Sequence, residues 1–287
     1  FFLEYFTDAV TNPDEISDRF QIPILGIVPL VKEGDYPPEK TFLKNARAPL
    51  AEALRTTRVS LQLAGCATHV RSILITSNHP GEGKTTLISN LAFTFAKAGE
   101  KVVVVDADMR KPRIHKIFSD SDLNSLPGLS SFLAGLVTKG FIHHNGIENL
   151  YYIPAGPIPP NPEELLASRR FEKLMRFLES KFDRVLVDAP PHQGFADVLV
   201  LSQCVGGVVL TASMGEIKRQ ELRHFKKSVL NTRGTILGCI INKVDITRRY
   251  GYQSYYKYYH YYSYGEKGAG RKPKRLDYAI KQGSQEK

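Results

Sequence analysis

SILITSNHPGEGKTT, residues 72–86, joins an apolar run to a glycine turn and then to the start of a helical pattern. The run Ser72–Thr76 predicts a buried strand, and Lys84–Lys97 predicts a helix. Gly81 and Gly83 allow a ligand to approach the backbone closely. A strand, a glycine turn and a helix N-terminus together aim several backbone N–H groups at one anion. The stretch therefore predicts a phosphate-binding loop.

The side chains of this loop supply the chemistry of a nucleotide site. In such a loop the Lys84 ammonium group reaches the terminal phosphates, and the Thr85 hydroxyl ligates Mg²⁺. Asn78 stands where the motif usually has its first glycine, so the match is imperfect. The predicted nucleotide-contacting residues of the loop are Gly81, Glu82, Gly83, Lys84, Thr85 and Thr86.

Strands and helices alternate through the middle of the chain. The predicted strands are continuous apolar runs, a pattern typical of strands that are covered on both faces. They span Ser72–Thr76, Val102–Val105, Leu150–Ile153, Arg184–Val187, Gly207–Thr211 and Thr235–Ile241. The predicted helices span Pro49–Leu63, Lys84–Lys97, Arg169–Ser180 and Glu216–Asn231. This alternation predicts an α/β fold, a doubly wound and mostly parallel sheet that binds ligands at the carboxyl ends of its strands.

Acidic residues follow two of these strands. The second predicted strand leads into Asp106 and Asp108, and the fourth leads into Asp188. Because the carboxyl ends of parallel strands share one edge of a sheet, Asp106 and Asp188 are expected to hold Mg²⁺ directly or through water. Asp108 has two open interpretations, a place near the metal or a contact that positions Arg110.

The last predicted strand is followed by Asn242-Lys243-Val244-Asp245. This tetrapeptide is similar to the guanine-reading Asn-Lys-x-Asp of GTPases, but an Asn at this strand end also reads adenine in doubly wound ATPases. We expect ATP rather than GTP, because neither the second strand nor the C-terminal segment fits a GTPase. Asn242 is therefore a predicted nucleotide-contacting residue.

Tyrosine dominates the C-terminal segment. Nine of the chain's 14 tyrosines lie close together: Tyr250, Tyr252, Tyr255, Tyr256, Tyr258, Tyr259, Tyr261, Tyr262 and Tyr264. The run lacks the period of a half-buried strand or helix, which predicts a disordered tail that displays phenol hydroxyls as phosphate acceptors. The alternative is an aromatic tail that stacks on RNA.

The formal charge of +10 is concentrated in this tail. Residues 248–287 carry ten basic and three acidic side chains, or +7, which leaves 29 basic and 26 acidic side chains, or +3, in the rest of the chain. A nearly neutral body argues against a DNA-binding domain, and a basic tail suits an anionic lipid, a polyanion or a nucleotide-loaded pocket.

The cysteines and the N-terminal residues bear on the cellular compartment and on membrane attachment. Three dispersed cysteines without a Cys-x-x-Cys predict neither a zinc site nor a disulfide framework, as in a reducing cytosol. The sequence contains no apolar run long enough to span a membrane. The opening Phe1-Phe2-Leu3-Glu4-Tyr5-Phe6 lacks an initiator Met, which suggests a fragment that begins at the interfacial edge of a membrane helix; the alternative is a processed soluble protein.

In combination, these motifs resemble those of the bacterial tyrosine kinases, or BY-kinases, the cytoplasmic domains of polysaccharide co-polymerases. The resemblance covers about residues 10–264 and rests on the loop Pro80–Thr85, Asp106-x-Asp108-x-Arg110 and Asp188-x-Pro190. Further family-like segments are Glu52-x-x-Arg55-x-x-Arg58, Gly128–Gly135 and Asn161–Leu166. The neighbouring partition and cell-division ATPases carry a lysine five residues before Lys84, where this chain has His79.

The resemblance implies an ATP- and Mg²⁺-dependent protein tyrosine autokinase that phosphorylates its own tyrosine cluster. Its implied domains are a juxtamembrane connector (1–40), a P-loop kinase domain (41–246) and the tyrosine-rich tail (247–287). The implied catalytic residues are Lys84, Asp106, Asp108 and Asp188, the implied metal site is Thr85, Asp106 and Asp188, and Arg110 joins the nucleotide contacts. The sequence leaves open whether Asp106 accepts the tyrosine proton or binds the metal.

The resemblance also implies partners. Glu52, Arg55 and Arg58 are expected at the subunit contact of a ring, an octamer by resemblance, and the alternative for them is a solvated helix with an internal ion pair. A transmembrane and periplasmic chain-length regulator in the same polypeptide and a cognate tyrosine phosphatase are expected, and nucleic acid is not. The expected location is the cytoplasmic face of the bacterial inner membrane, with a role in capsule or exopolysaccharide synthesis. The competing functions are an ATPase switch of the partition type and a nucleic-acid module built on the tail.

Overall fold

A central sheet organises the computed structural model, which describes residues 8–30, 49–66, 70–119 and 122–244. Its strands are β1 Ile24–Pro29, β2 Ser72–Ser77, β3 Val102–Asp106, β4 His143–His144, β5 Leu150–Ile153, β6 Arg184–Asp188, β7 Gly207–Ser213 and β8 Ile236–Val244. Their spatial order is β1-β8-β7-β2-β6-β3-β5-β4, and only the β4–β5 pair of these described strands is antiparallel. The predicted doubly wound, mostly parallel sheet is confirmed.

Helices connect the strands and cover the sheet. They are α1 Pro13–Phe20, α2 Pro49–Cys66, α3 Lys84–Lys97, α4 Ile114–Phe118, α5 Leu129–Leu133, α6 Pro162–Leu166, α7 Arg169–Lys181, α8 Asp197–Ser202 and α9 Arg219–Asn231. The helix predicted from Glu216 begins at Arg219, because the Glu221 carboxylate accepts the backbone N–H of Lys218 and caps the helix there. Within the described ranges, no helix has the length and apolarity that crossing a bilayer requires.

One buried apolar cluster lies between α2, α3 and the centre of the sheet. Ile75 of β2, Val104 of β3, and Leu91 and Phe95 of α3 are completely buried in one apolar cluster. Burying one such side chain stabilises the fold by roughly 1.5–3 kcal/mol. The packing of α3 on the strands fixes the position of the loop that precedes it.

The predicted connector contributes a strand to the sheet. β1 pairs in parallel with β8, with Ile24 opposite Cys239 and Ile27 opposite Ile241. As β1 lies at the sheet edge, where a missing proline N–H is tolerated, the prolines of this segment do not prevent strand formation. The pairing places β1, from the segment predicted as a connector, in the same sheet as the strands of the following segment. The described elements all lie within one unit, residues 1–251, and a second unit, residues 252–287, lies outside the described part of the chain.

Candidate functional site

The loop between β2 and α3 depends on two glycines in left-handed conformations. Gly81 has φ 85° and Gly83 has φ 86°, a region that other residues rarely adopt. A Cβ atom at Gly83 would also lie 2.4 Å from Asn242 Nδ2. α3 starts at Lys84 without a side-chain cap on its first N–H groups. Those N–H groups and the positive end of the helix dipole suit a bound phosphate.

Glu82 organises the loop from inside. Its buried carboxylate accepts hydrogen bonds from the backbone N–H groups of Asn78 and His79, both at 2.8 Å, and from Ser213 at 3.2 Å. Burial raises the pKa of Glu82, while these backbone donors oppose the shift. The Glu82 carboxylate is therefore engaged with the loop backbone and with the end of β7.

Two residues at the end of β8 hold the other side of the loop. Asn242 Nδ2 donates to the Glu82 carbonyl at 2.8 Å, and Lys243 Nζ donates to the Gly81 carbonyl at 2.5 Å. Asn242 also lines a separate cavity of about 150 Å³ between β1, α2 and α3. The amide predicted to read a base is therefore engaged with the loop, beside a small and mainly apolar space.

Asp106 and Asp188 lie side by side beneath the loop, on the paired strands β3 and β6. The Thr85 hydroxyl donates to Asp188 Oδ2 at 2.8 Å. Asp106 Oδ2 accepts the backbone N–H groups of Arg113 at 3.2 Å and Ile114 at 3.0 Å. The second carboxylate oxygen of each aspartate, Oδ1, is buried without a hydrogen-bond partner in the protein. The structure thus brings the three predicted metal-site residues into one cluster.

Burial and mutual repulsion perturb both carboxyl groups. Burial raises the pKa of Asp106 well above its usual range, and the neighbouring charges of Asp188 and Asp108 raise it further. Burial also raises the pKa of Asp188 to about 7, against the lowering effects of the Lys84 charge and the Thr85 hydrogen bond. Two carboxylates this close resist simultaneous ionisation in a low-dielectric site. A cation between them would relieve the repulsion.

The residues present fit Mg²⁺. The ion prefers hard oxygen ligands and is usually held by one or two carboxylates together with substrate phosphates and water. The Thr85 hydroxyl and the unpartnered Oδ1 atoms of Asp106 and Asp188 supply such oxygens. In the described ranges, no group of three or more His, Cys, Asp or Glu side chains could hold a metal by itself. Oxygens of a nucleotide would complete the coordination.

Asp108 and Arg110 shape the segment after β3. Asp108 Oδ1 accepts the backbone N–H groups of Arg110 at 3.3 Å and Lys111 at 3.0 Å, so the interpretation in which Asp108 positions Arg110 has direct geometric support. The Arg110 guanidinium group donates to Asp197 at 2.8 and 3.2 Å and to Glu163 at 2.9 Å. The hydrogen bond to Asp197 raises the pKa of Arg110 above its ordinary value.

A cavity of about 430 Å³ opens above these groups, within the size range of small-molecule sites. Among the predicted site residues, its walls include Gly81, Gly83, Lys84, Thr85, Thr86, Asp108 and Arg110. Asp106 and Asp188 are buried below it, and Glu82 and Asn242 lie behind the loop. Seven further wall residues are not among the predicted site residues: Pro80, Lys111, Arg113, Pro190, Pro191, Phe195 and Lys243. Lys111 and Arg113 follow Arg110 closely, so their basic character was a signal that was available.

The remaining predicted sites lie elsewhere or outside the described residues. On α2, Arg55 Nη1 lies 2.8 Å from Glu52 Oε2, and Arg58 Nη1 donates to Gln62 at 2.7 Å. This is the geometry of an internal ion pair, which is compatible with either interpretation of the helix. The nine predicted acceptor tyrosines, at 250–264, fall outside the described residues.

Comparisons with known proteins identify the family. The model of a family described as "AAA domain" matches residues 70–212. The putative tyrosine-protein kinase CapB of Staphylococcus aureus is 34% identical over 211 residues, which cover 73% of this chain and 91% of CapB. The chain belongs to the bacterial tyrosine kinase family. This kinase is also 35% identical over 228 residues to a putative tyrosine-protein kinase in the cps region of Klebsiella pneumoniae, covering 77% of this chain and 31% of that protein.

A solved structure extends the likeness to the whole domain. The kinase domain of the Escherichia coli tyrosine kinase ETK matches with a TM-score of 0.76 and 29% identity, over 84% of this chain and 98% of that domain. The family and fold expected from the motifs are confirmed, and the chain contains a P-loop domain of the ATP-binding kind.

Proposed function

We propose that this chain is an ATP-dependent protein tyrosine kinase that phosphorylates the tyrosine cluster of its own C-terminal segment. One observation carries the proposal: the buried Asp188 and Asp106 form a cluster with the partly exposed Thr85, next to Lys84 and at a cavity of nucleotide size. The family membership supports phosphate transfer to tyrosine, and residues 250–264 supply nine acceptors in the same chain.

The chemistry rests on positioning and electrostatics. Lys84 and the loop N–H groups offset the charge of the β- and γ-phosphates. Thr85 and Asp188 would hold Mg²⁺, which neutralises charge on the phosphates when it is bound. Asp106 has a raised pKa and an unpartnered oxygen, so it suits a group that orients the phenol and accepts its proton. A tyrosine hydroxyl has an ordinary pKa of about 10, so such assistance matters.

The tail of one subunit enters the cavity of the next in a homo-oligomeric ring, by family resemblance an octamer. α2 supports this arrangement, because Val59 and Leu63 are 43% and 68% exposed on the helix that carries Glu52, Arg55 and Arg58. Each phosphorylated tyrosine adds roughly −1.5 to −2 charges, so extensive phosphorylation would dissolve the ring by repulsion.

The biological role is control of capsule or exopolysaccharide synthesis and export at the cytoplasmic face of the bacterial inner membrane. Two features of the relatives support it: one is named for a cps region, and this chain spans only 31% of its length. A transmembrane and periplasmic chain-length regulator would occupy the remainder of such a polypeptide, and a cognate tyrosine phosphatase would reset the system.

Phosphotyrosine detection tests the proposal. The purified wild-type chain, incubated with Mg·ATP, should become phosphorylated on tyrosine, and Lys84→Met should abolish the signal with its thermal stability maintained. Lys97→Met is the matched control, because Lys97 lies exposed at the other end of the same helix. Unchanged phosphotyrosine in a folded Lys84→Met protein would separate the activity from this site. ATP hydrolysis without phosphotyrosine in the wild type would favour the ATPase switch instead.

A further inference from the structure

Phe195 places an aromatic ring on the wall of the nucleotide cavity. The residue is 37% exposed and lines the cavity together with Lys84, Pro190 and Pro191. Leaving a large apolar surface in contact with water is unfavourable. The phosphate chemistry described above gives this ring no task, and its place on the cavity wall suits a ligand with an apolar face.

The ring is held in place from one side. The Arg110 guanidinium carbon lies 4.4 Å from the centre of the Phe195 ring, a cation–π contact. Arg110 is itself fixed by two hydrogen bonds to the buried Asp197 and one to Glu163. A side chain that is already ordered loses little conformational entropy when a ligand packs on it. Phe195 is therefore a preorganised surface.

We propose that Phe195 is the platform on which the phenol ring of the acceptor tyrosine packs, and that it selects tyrosine over serine and threonine. The inference rests on the proposed function. Aromatic rings favour offset or edge-to-face contacts with one another, which aliphatic hydroxyl residues cannot make. Pro190 and Pro191 extend the apolar wall, and Lys84 marks the phosphate side of the same cavity.

The occupant is the tyrosine cluster of residues 250–264. Lys243 lines this cavity, and the first tyrosine of the cluster follows the last described residue, Val244, by six positions. The cluster therefore begins a short length of chain beyond a cavity wall, and in an oligomer the same segment is available to a neighbouring copy.

Steady-state kinetics test the platform. The full chain is assayed with a synthetic peptide of residues 250–264, varied at saturating Mg·ATP, and phosphopeptide is separated by reversed-phase chromatography. Phe195→Ala should raise the KM for the peptide roughly three- to tenfold, the size of an aromatic pair contribution, and should raise the KM for Mg·ATP much less. Phe195→Leu should behave like the alanine variant, and Phe195→Tyr should restore the wild-type KM. Phe177→Ala is the control, because Phe177 is 48% exposed on α7 away from the cavity.

Each other result argues against the platform. An unchanged KM for the peptide in Phe195→Ala would show that the Phe195 ring does not contact the acceptor. A wild-type KM in Phe195→Leu would show that any apolar side chain suffices and that the aromatic ring is not required. A rise confined to the KM for Mg·ATP would assign Phe195 to the nucleotide base. No phosphopeptide from the wild-type chain would overturn the proposed function itself, which separates that failure from failure of the platform. Thermal melting confirms that every variant is folded.

Discussion

Asp188→Asn should stabilise the nucleotide-free protein while impairing its function. Asp188 is buried next to Asp106, and burial raises its pKa to about 7 from the ordinary 3.8. Ionising this carboxyl group above neutral pH therefore costs folding free energy in the absence of a cation. Asparagine has nearly the same shape, keeps an oxygen that accepts the Thr85 hydroxyl, and carries no charge.

The magnitude follows from the linkage between proton binding and folding. A carboxyl group whose pKa is raised in the folded state contributes stability that is complete below its unfolded pKa and is lost as the pH rises through the folded pKa. A shift from 3.8 to about 7 corresponds to about 4 kcal/mol lost by pH 8, at about 1.4 kcal/mol per pKa unit. Because Asp106 shares the repulsion, we expect Asp188→Asn to gain about 2–4 kcal/mol at pH 8.

Urea denaturation at several pH values measures this gain. The wild type and Asp188→Asn are unfolded in the presence of EDTA and without nucleotide between pH 5 and pH 8. The difference in unfolding free energy should grow by about 2–3 kcal/mol over that range, since the wild type loses stability and the variant lacks the titrating group. Asp18→Asn, which alters an exposed carboxylate on α1, should show no such growth. A difference that stays constant with pH, or a variant less stable than the wild type at pH 8, would refute the reasoning.

Three further outcomes are expected. Asp106→Asn should lower phosphotransfer far more than nucleotide binding, and Asp188→Asn should weaken Mg²⁺-dependent binding as well; equal binding losses in Mg·ATP titrations would contradict this division. ATP should outcompete GTP despite the sequence around Asn242. Displacement of ATP by GTP at comparable concentration would favour the interpretation of this segment as a guanine-binding motif. Changing Arg55 and Arg58 to Ala should give monomers in light scattering that bind nucleotide but phosphorylate their tails poorly. Phosphorylation of the wild type should lower the particle mass that light scattering measures, because the oligomer dissociates. A persistent oligomer in either case would exclude the proposed ring contact.

The sequence predicted which strand ends lie close together, because parallel-sheet geometry brings residues that are distant along the chain to one edge of the sheet. Asp106 and Asp188 are far apart in sequence, yet both end a strand, and β3 pairs with β6 so that the two face each other. Thr85 follows the loop at the end of neighbouring β2 and bonds Asp188 directly. Strand ends that share one edge can be recognised from apolar runs alone.

Short helices and the edge strand could not be predicted from apolar patterns in this way. α4, α5 and α6 each have five residues, too few for a periodic signal. β1 was missed because proline-rich flanks indicate a connector, whereas an edge strand tolerates them. The Glu52–Arg55 pair was anticipated, since residues three apart on a helix are neighbours regardless of the tertiary fold.

What the sequence could not supply is the direction in which a correctly placed side chain points. Glu82 sits inside the nucleotide motif, but its carboxylate binds the backbone of Ser213 on β7, a contact between residues 131 positions apart. Arg110 also points toward partners that are distant in the sequence, since its guanidinium group binds Asp197 and Glu163, which lie 87 and 53 positions away. Under the proposed role of Phe195 these long-range contacts bear on function as well as stability, because the Arg110 that they hold packs against the Phe195 ring. Residues of the motifs are therefore held in this site by partners far away in the sequence, which no local pattern predicts. We expect loss of Asp197 to disturb the side of the cavity that holds Phe195 before the side that holds Lys84.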